Sequence, residues 1–597
     1  MFKILRYLKD VKFSALAIIL LLCVQAYCDL SLPAYTADII DIGIMQGGVE
    51  NGGVAVAADW SVQLNYLLHT GMKMLGMTLL MLLSAVLVGL LSSRAGALIG
   101  KTLREKVFKK VISFSHAEID QFSTASLITR STNDIQQIQM VSVMLLRMVA
   151  YAPIIGLGGI IKVANTRTGM DWIIVVAVGA IFVLVITLMK IALPKFKIVQ
   201  TLIDRLNLVS REILTGIPVI RAFSREKHEI KRFEEANRDL MKTQLFTNRI
   251  MTFMMPIMML IMNSITVLIV WAGARGVNQG NLQVGDMMAF ITYTMQIVMA
   301  FLLLTMISIM LPRAGVAADR IEEVLNTEAI IKDAEATRDD ELKEVKGEIT
   351  FEQVHFRYPN ADEDALENIS FTASPGKTTA IIGSTGCGKS TLLHLIPRFY
   401  DVTAGRILID GVDIRQLSQK KLHSFLGFVP QKAVLFSGTI ASNLKFGGEH
   451  ITEERMKKAA SIAQAEEFIC QKKEQYDSEI AQGGNNVSGG QKQRLSIARA
   501  IAAEPKIYLF DDSFSALDYK TDAALRKALR ENTKEATVII VAQRISTILH
   551  ADQILVLEDG KIVGQGTHEE LLKNCEEYLE IAKSQLSEAE LKGGKAV

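Results

Sequence analysis

The sequence Gly383-Ser384-Thr385-Gly386-Cys387-Gly388-Lys389-Ser390 decides how the C-terminal half of this 597-residue chain folds. It follows an apolar run that predicts a β-strand, and it precedes Thr391 and a run typical of a helix start. A phosphate-binding loop needs this context, because its glycines let backbone amides turn toward phosphate oxygens. Lys389 would place its charge on the β and γ phosphates, and Ser390 would offer its hydroxyl to Mg²⁺. Residues 383–391 are therefore predicted to bind ATP and Mg²⁺.

A second strand of the same region ends in a carboxylate. The apolar run 506–510 is followed by Asp511, which is placed to hold the Mg²⁺ shell. One aspartate at a strand end is also compatible with simple helix capping. From Gly347 onward, short β-rich runs alternate with helices, which predicts an α/β domain. The predicted strands are 349–356, 378–382, 406–409, 506–510 and 537–541, with a hairpin over 554–563.

The first half of the chain is apolar in long segments. Six of them reach the roughly 20 residues that a membrane helix needs, near 13–44, 69–98, 138–163, 171–193, 249–274 and 285–312. Residues 46–70 contain no Lys or Arg, whereas 99–137, 190–250 and the chain after Arg313 are rich in both. The distribution of Lys and Arg predicts a cell-membrane protein with the C-terminal α/β domain and both termini in the cytoplasm.

These patterns predict the fold class and its boundaries. We expect an α-helical six-span membrane domain followed by an α/β P-loop nucleotide-binding domain. The predicted divisions are a transmembrane domain at 1–325, a charged linker at 326–346, an ATP-binding cassette at 347–582 and a polar C-terminal tail at 583–597. Residues 331–346 contain ten charged side chains, which is typical of a solvated linker.

Composition excludes several classes of protein. The net charge of +2 gives no indication of a nucleic-acid partner. The five cysteines are scattered without a CxxC pair, so neither a zinc site nor a disulfide framework is predicted. The six apolar segments exclude a soluble protein acting on DNA or ribosomes.

A third stretch, Val487-Ser488-Gly489-Gly490-Gln491, carries a resemblance to a known family. It is similar to the signature of the ATP-binding-cassette exporters, and this resemblance spans the whole chain. It implies that Tyr358 stacks on adenine and that Gln431 touches Mg²⁺ together with Ser390 and Asp511. It also implies that residues 515–518 cross a dimer axis. In this family the signature closes the ATP site of the opposite subunit, so a second half-transporter is the implied partner.

Two positions depart from that family's pattern. Asp512 stands where the family has a catalytic glutamate, and Gln543 stands where it has a histidine. The aspartate carboxylate retreats by about 1.5 Å, enough to lower the rate on the order of 10²-fold if positioning governs it. A glutamine carries neither a proton nor a positive charge. The two changes resemble the degenerate half of heterodimeric exporters. A homodimeric lipid flippase or exporter with a slow ATPase, an ATP-gated channel and an importer variant are the alternatives.

Other segments bear on coupling and cargo. Residues 118–134 and 212–223 resemble the two coupling segments of exporters, and a short docking helix is expected in each. Twelve of the 25 methionines fall between residues 251 and 310, a flexible lining that suits varied apolar molecules. Asp29 and Arg147 lie within predicted spans and are candidates for substrate contact. The resemblance implies a lipophilic or amphipathic small molecule, lipid or peptide as cargo.

Overall fold

The computed structural model describes residues 11–45, 60–166, 169–279, 282–334, 336–342, 344–359 and 361–586. Within these ranges the chain forms two compact units. The membrane unit comprises residues up to 111 together with 125–326, and the cassette unit comprises 112–124 together with the chain from 327 onward. Most of the predicted outer loop, 46–59, and most of the predicted tail, 587–597, lie outside the described residues.

In the described residues of the membrane unit, all regular secondary structure is helical. Its helices are α1 (Lys12–Asp38), α2 (Trp60–Ile112, which ends in the cassette unit), α4 (Thr124–Thr129), α5 (Ile135–Met144), α6 (Ala150–Thr166), α7 (Asp171–Ala222), α8 (Glu226–Asn278) and α9 (Val284–Asn326). Short π-helical segments at Ile39–Ile44, Arg130–Asp134 and Leu145–Val149 continue them. Six helical stretches are long and apolar enough to cross a membrane: Lys12–Ile44, Gln63–Ile112, Thr124–Thr166, Asp171–Ala222, Glu226–Asn278 and Val284–Leu304. The predicted six spans are thereby confirmed.

The three longest of these helices far exceed the thickness of a bilayer. α2, α7 and α8 have 53, 52 and 53 residues, which at 1.5 Å per residue gives about 80 Å. A hydrocarbon core of about 30 Å accounts for less than half of that length. These three helices therefore extend well beyond the hydrocarbon core.

Spans one, three and six share a tightly packed core. Leu30, Ile155, Phe290, Tyr293 and Ile297 are buried in one cluster. Gly159 on span three permits the close approach, since a β-carbon there would lie 2.8 Å from a side-chain atom of Ile297.

The second coupling segment differs from its prediction. Residues 212–222 are not a separate short helix but the last turns of α7, and only residues 223–225 separate α7 from α8. Pro218 lies within the helix without ending it. Arg232 of α8 forms an ion pair with Glu212 across this hairpin, which holds the two helix ends side by side.

The cassette unit is built on two sheets. Six strands form a largely parallel sheet in the order β12-β11-β3-β10-β9-β6, and four form an antiparallel sheet in the order β2-β1-β4-β5. The strands are β1 (Ile349–Phe356), β2 (Leu366–Ala373), β3 (Thr378–Gly383), β4 (Ala404–Ile409), β5 (Val412–Asp413), β6 (Leu426–Val429), β7 (Gly438–Thr439), β8 (Glu479–Ile480), β9 (Ile507–Asp511), β10 (Thr537–Val541), β11 (Gln553–Glu558) and β12 (Lys561–Gly566). Its helices are α3 (His116–Phe122), α10 (Lys389–Leu395), α11 (Gln419–Ser424), α12 (Ile440–Leu444), α13 (Glu453–Ile462), α14 (Glu466–Cys470), α15 (Gly489–Ala502), α16 (Tyr519–Asn532), α17 (Ile545–Ile548), α18 (His568–Asn574) and α19 (Glu576–Gln585).

Strand register places the candidate site. In β10, Val541 pairs with Asp511 of β9 on one side and with Ile381 of β3 on the other. All three strands are parallel, so the phosphate loop after β3 and the carboxylates after β9 lie at the same sheet edge, where ligands of open α/β sheets bind. The predicted α/β fold of the C-terminal half is confirmed.

The first coupling segment forms a short helix, α3, that packs on the cassette. A capping box of Ser115 and Glu118 begins it. Glu118 is buried, and its second oxygen accepts the backbone N–H of Ile330 at 2.9 Å. The hydroxyl of Tyr400 donates to Asp120 at 3.1 Å, and the His116 ring stacks on Phe399 at 4.5 Å between centroids.

The charged linker is attached to the cassette rather than merely solvated. Asp339 accepts the N–H and hydroxyl of Ser418 at 2.9 and 2.7 Å, and Asp333 accepts the N–H of Gln419 at 3.0 Å. Ile331 and Leu342 are buried. The high density of charge predicted a solvated linker. It could not show that the N-terminus of α11 would donate hydrogen bonds to these carboxylates.

Candidate nucleotide-binding site

The phosphate loop has the backbone shape that its glycines permit. Gly386 and Gly388 have φ angles of 88° and 97°, in the left-handed region that favours glycine. A β-carbon on Gly388 would also lie 2.9 Å from the carbonyl oxygen of Ala365, so no larger residue fits there. Gly388 precedes the first residue of α10, and the free amides of that helix start point into the loop.

Lys389 and Ser390 start α10, and their polar atoms have different partners. The ammonium of Lys389 donates to the carbonyls of Gly383 and Ser384 at 3.0 and 2.5 Å. The hydroxyl of Ser390 donates to Asp511 Oδ1 at 2.8 Å. A hydroxyl beside a buried carboxylate is a suitable ligand pair for Mg²⁺, which prefers oxygen. The predicted residues of loop and strand therefore meet, and they fit a metal–nucleotide complex.

Ionisation of the Asp511 carboxyl is unfavourable in the nucleotide-free protein. Burial raises the pKa of its carboxyl, although the Ser390 hydrogen bond and the charges of His394 and Lys389 oppose this effect. His394 Nε2 lies 3.7 Å from Asp511 Oδ2, and burial lowers the pKa of this histidine. A divalent cation would relieve the cost, because it supplies the positive charge that the pocket lacks.

This raised pKa predicts a pH-dependent stability. The native carboxyl holds its proton to higher pH than the unfolded one, whose ordinary pKa is 3.8. Its stabilising contribution is therefore complete below that value and is lost as pH rises through the native pKa. Without Mg²⁺ and nucleotide, Asp511→Asn is expected to raise the melting temperature at pH 8, by about 2–4 °C for each kcal/mol relieved. The gain should shrink as pH falls.

Asp413 provides the matched control. Burial raises the pKa of its carboxyl, but the hydrogen bonds and charge of Arg415 outweigh burial, and the net pKa is lowered. Its contribution is present above the ordinary value and is lost as pH falls through the native pKa. Asp413→Asn should therefore lower the melting temperature at pH 8. If the two variants shift the melting temperature in the same direction, the electrostatic account of Asp511 is incorrect.

Asp512 adopts a strained conformation between two amides. Its φ of 44° is unusual for a residue with a β-carbon, and its side chain is buried. Gln543 Nε2 donates to Asp512 Oδ2 at 2.7 Å, and Gln431 Nε2 donates to the same oxygen at 3.3 Å. The Ser515 hydroxyl donates to the Asp512 carbonyl at 2.9 Å. Burial raises the pKa of this carboxyl, against the hydrogen bonds of Gln431 and Ser515.

Tyr358 lies next to the phosphate-loop helix. Its hydroxyl is 2.9 Å from the hydroxyl of Thr391, the third residue of α10. Phe356 and Tyr400 pack edge-on against its ring, with centroids 4.8 and 5.3 Å away. These contacts fix the orientation of the ring that the family resemblance assigns to adenine.

The signature residues belong to a different part of the cassette from the phosphate loop. Ser488 caps α15 by accepting the N–H of Gln491 at 3.3 Å, while the Gln491 side chain accepts the Ser488 N–H at 3.0 Å. Val487 and Leu495 are buried in one hydrophobic cluster, whereas Cys387 and Leu392 of the loop region are buried in another. The structure thus brings Lys389, Ser390, Gln431, Asp511, Asp512 and Gln543 together, whereas Ser488 and Gly489 are exposed at the start of α15 and have no hydrogen bond to these residues in the described part of the chain.

Two residues near the site were not singled out by sequence reasoning. His394 contacts Asp511, and the only signal for it was its place one turn after Ser390 in the predicted helix. Gln585, in the predicted polar tail, donates to the carbonyl of Gln543 at 2.9 Å and accepts the N–H of Ile545 at 2.8 Å. No local pattern marks Gln585, because its partners lie about 40 residues away.

Comparisons with known proteins agree with this architecture. Residues 15–301 match the ABC transporter transmembrane region, and residues 366–515 match the ABC transporter family. An uncharacterised ABC transporter ATP-binding protein of Mycobacterium tuberculosis is 41% identical over 96% of each chain. YfiB of Bacillus subtilis, likewise an uncharacterised ABC transporter ATP-binding protein, is 37% identical over 98% of each chain. A bacterial Atm1-family ABC exporter solved with ATP bound has a TM-score of 0.78 at 27% identity, covering 97% of this chain and 99% of that one.

A six-span helical unit joined to a phosphate-loop cassette defines an exporter-type half-transporter. The chain belongs to the ABC transporter family, and it has the Atm1-like exporter fold.

Proposed function

We propose that this chain is one half of a heterodimeric exporter whose own ATP site is slow and whose signature completes the fast site of its partner. The observation that carries the proposal is the environment of Asp512. Its carboxylate accepts hydrogen bonds from two neutral amides, Gln543 and Gln431. Neither amide can take a proton from an attacking water or supply a positive charge to the γ-phosphate.

The residues of this site support binding more than hydrolysis. Lys389, Ser390 and Asp511 form the set that holds a nucleotide and Mg²⁺, and the metal would reduce the negative charge between phosphates. Asp512 directly follows β9 and is the acidic residue that we assign to act on water. Its carboxylate is one methylene short of a glutamate and is fastened by Gln543. A general base must reach the proton it removes, so a short, tied carboxylate favours slow turnover.

The signature retains what it needs to act on a second nucleotide. α15 has 14 residues and an intact capping box, so its N-terminus presents free amides and a partial positive charge. A γ-phosphate carried by another subunit is the ligand these groups suit. Ser488 and Gly489 are exposed, so this helix start is accessible to a phosphate that another subunit carries.

Exposed apolar surface supports a partner chain. Leu214, Val219 and Phe223 are exposed at the end of α7 and the turn that follows. Single exposed apolar residues are ordinary, but three at one helical tip favour a docking surface. We assign its occupant as the partner half-transporter, because this tip belongs to a stretch rich in Lys and Arg that is expected to lie in the cytoplasm, away from lipid.

The cargo class rests on the relatives and the membrane unit. YheI of Bacillus subtilis, 33% identical over 84% of this chain, is described as a probable multidrug resistance ABC transporter protein. Together with the apolar, methionine-rich spans five and six, this supports a lipophilic or amphipathic cargo moved across the cell membrane. The Lys and Arg distribution supports a cytoplasmic cassette.

The chain purified alone should hydrolyse ATP at less than about a hundredth of the rate of the natural pair. Every ATP site that copies of this chain form with each other would contain Asp512 and Gln543 and would therefore lack a well-placed base. The pair is obtained by affinity-tagging this chain in its native membrane and purifying what accompanies it. Lys389→Ala in the isolated chain sets the background rate. Brisk hydrolysis by the isolated chain, abolished by Lys389→Ala, would support the homodimeric alternative instead.

A further inference from the structure

A cluster of polar side chains lies in the middle of the membrane unit, among apolar helices. It consists of Gln25 and Asp29 on span one, Tyr151 on span three and Gln296 on span six, and is called the polar node below. Asp29 lies 17 residues after Lys12 and 15 before Ile44, the ends of its span. At 1.5 Å per residue these distances are about 25 and 22 Å, which places the carboxylate near mid-membrane.

Only neutral groups contact the Asp29 carboxylate in the described residues. The Tyr151 hydroxyl donates to Oδ2 at 2.6 Å, and Gln296 Nε2 lies 3.4 Å from Oδ1. The same Gln296 amide donates to the Asp29 backbone carbonyl at 3.2 Å. Gln25, one turn before Asp29, hydrogen-bonds the Tyr151 side chain. Tyrosine and glutamine supply hydrogen bonds but no positive charge, so the node is one cation short.

The nearest candidate cation does not fill that deficit. Arg147 lies one turn before Tyr151 on span three, but its side chain is exposed, and no ion pair joins it to Asp29 in the described chain. A charged aspartate at the centre of a membrane helix is unfavourable. Such a group persists where it serves a ligand or an ion, and where a positive partner arrives from outside the fold.

A second, independent feature indicates what kind of partner is missing. Gln296 Oε1 is buried and has no hydrogen-bond donor. Gln296 Nε2 is already occupied by Asp29, so its amide orientation is fixed and Oε1 remains an acceptor. An unsatisfied buried acceptor is unfavourable, because it loses its hydrogen bond to water and gains none in the protein. The node therefore offers two acceptors, Asp29 Oδ1 and Gln296 Oε1, and lacks both a charge and N–H donors.

We propose that the polar node binds the ammonium group of a cationic amphipathic cargo, a primary or secondary amine with an apolar tail. One ammonium supplies the positive charge and two or three N–H donors, which matches Asp29 Oδ1 and Gln296 Oε1 together. The apolar tail would lie along span six, which carries Met295 and Met299 near Gln296. Methionine side chains are flexible and adapt to varied shapes. Because Gln296 Oε1 is enclosed, the amine reaches it when the spans separate during transport.

This proposal rests on the transport function proposed above, and it is tested by binding without ATP. The probe is a decylamine that carries a diazirine in its chain, applied to the full chain in nanodiscs of neutral phosphatidylcholine. Two matched probes carry the same chain with a hydroxyl or with a trimethylammonium group. Photolabelling of spans one, three and six is measured by mass spectrometry against unlabelled decylamine and is normalised to partitioning into the lipid.

The amine should label these spans at a membrane concentration about tenfold lower than the alcohol. Asp29→Asn should raise the half-saturating amine concentration about tenfold, and Gln296→Leu about threefold. The trimethylammonium probe, which has no N–H donor, should bind about threefold less well than the amine. Asp41→Asn serves as the matched control, since it removes another span-one carboxylate, one that accepts the backbone N–H of Gly285.

Equal labelling by amine and alcohol would overturn the proposal, as would an Asp29→Asn variant that binds the amine like the natural chain. Equal retention of the trimethylammonium probe would overturn the role of Gln296 as an acceptor. Tyr151→Phe removes one hydrogen-bond donor of the polar node but no charge, and it should bind the amine at least as well as the natural chain. Binding by this variant would show that the loss of a hydrogen bond to Asp29 does not by itself disrupt the site, as misfolding would. A fast isolated ATPase would defeat the heterodimer proposal and leave these binding results untouched.

Discussion

Combining Asp512→Glu with Gln543→His should raise ATP hydrolysis at this chain's own site by about 10²-fold, the rate difference that correct positioning of a catalytic group commonly produces. The glutamate extends the carboxylate by one methylene, toward water held at the γ-phosphate. The histidine replaces the amide that now donates to Asp512 at 2.7 Å. The added carboxylate would therefore be both longer and free of that neutral donor.

The measurement requires that the partner's ATP site, which we propose to be the faster one, is inactive. The variant chain is purified with its natural partner, whose phosphate-loop lysine has been replaced by alanine, and steady-state phosphate release is followed. Each single change should give a smaller gain, because the glutamate alone still meets Gln543 and the histidine alone still faces a short carboxylate. Asp512→Asn is the control that keeps size and removes charge. If the double variant turns over no faster than the natural chain, the residues at 512 and 543 do not limit this site.

If the signature of this chain completes the partner's ATP site, as we propose, Gly489→Asp should lower ATP turnover of the natural pair by 10²- to 10³-fold. A β-carbon at Gly489 meets no atom within 4 Å, so the new side chain fits without displacing its neighbours. A negative charge in the first turn of α15 also suits the helix dipole, so folding should be preserved. The aspartate instead repels the anionic phosphate of the partner's nucleotide, where positive groups stabilise the transition state.

The matched variant is Lys389→Ala, which removes the charge of this chain's own phosphate loop. If the partner's site carries the flux, Lys389→Ala should lower steady-state turnover less than tenfold, far below the effect of Gly489→Asp. The melting temperature of each purified pair, measured separately, checks that each variant still folds. Comparable losses from both variants would mean that the two sites share the work equally, as in a symmetric dimer.

The two experiments separate the parts of the proposal. The first asks whether residues 512 and 543 limit turnover at the site built by Ser390, Asp511 and Asp512, and the second asks where the signature acts. A result that supports only the second would leave a heterodimer with an unexplained slow site. The amine-binding test concerns a third location, the polar node, and depends on neither turnover measurement.

Local sequence was sufficient wherever a function depends on residues close together in the chain. The phosphate loop, its strand and its helix lie within about 20 residues, and backbone geometry follows from glycines at 386 and 388. The six spans could be predicted for the same reason, since a membrane helix satisfies its own hydrogen bonds and needs only a long apolar run. The capping boxes at Ser488 and Thr567 are equally local.

Contacts between distant residues were decided only by the tertiary structure. Asp29 meets Tyr151 and Gln296 across 122 and 267 residues, and sequence marked Asp29 without indicating its partners. Gln543 could be recognised as a departure from a pattern, but only folding shows that its amide holds Asp512. The sequence by itself determined the membrane spans, the phosphate loop and the residue types of the site, because these follow from short-range sterics and hydrophobicity. Which polar atoms face each other, and which acceptor remains unfilled, depends on the packing of helices and strands far apart in the chain.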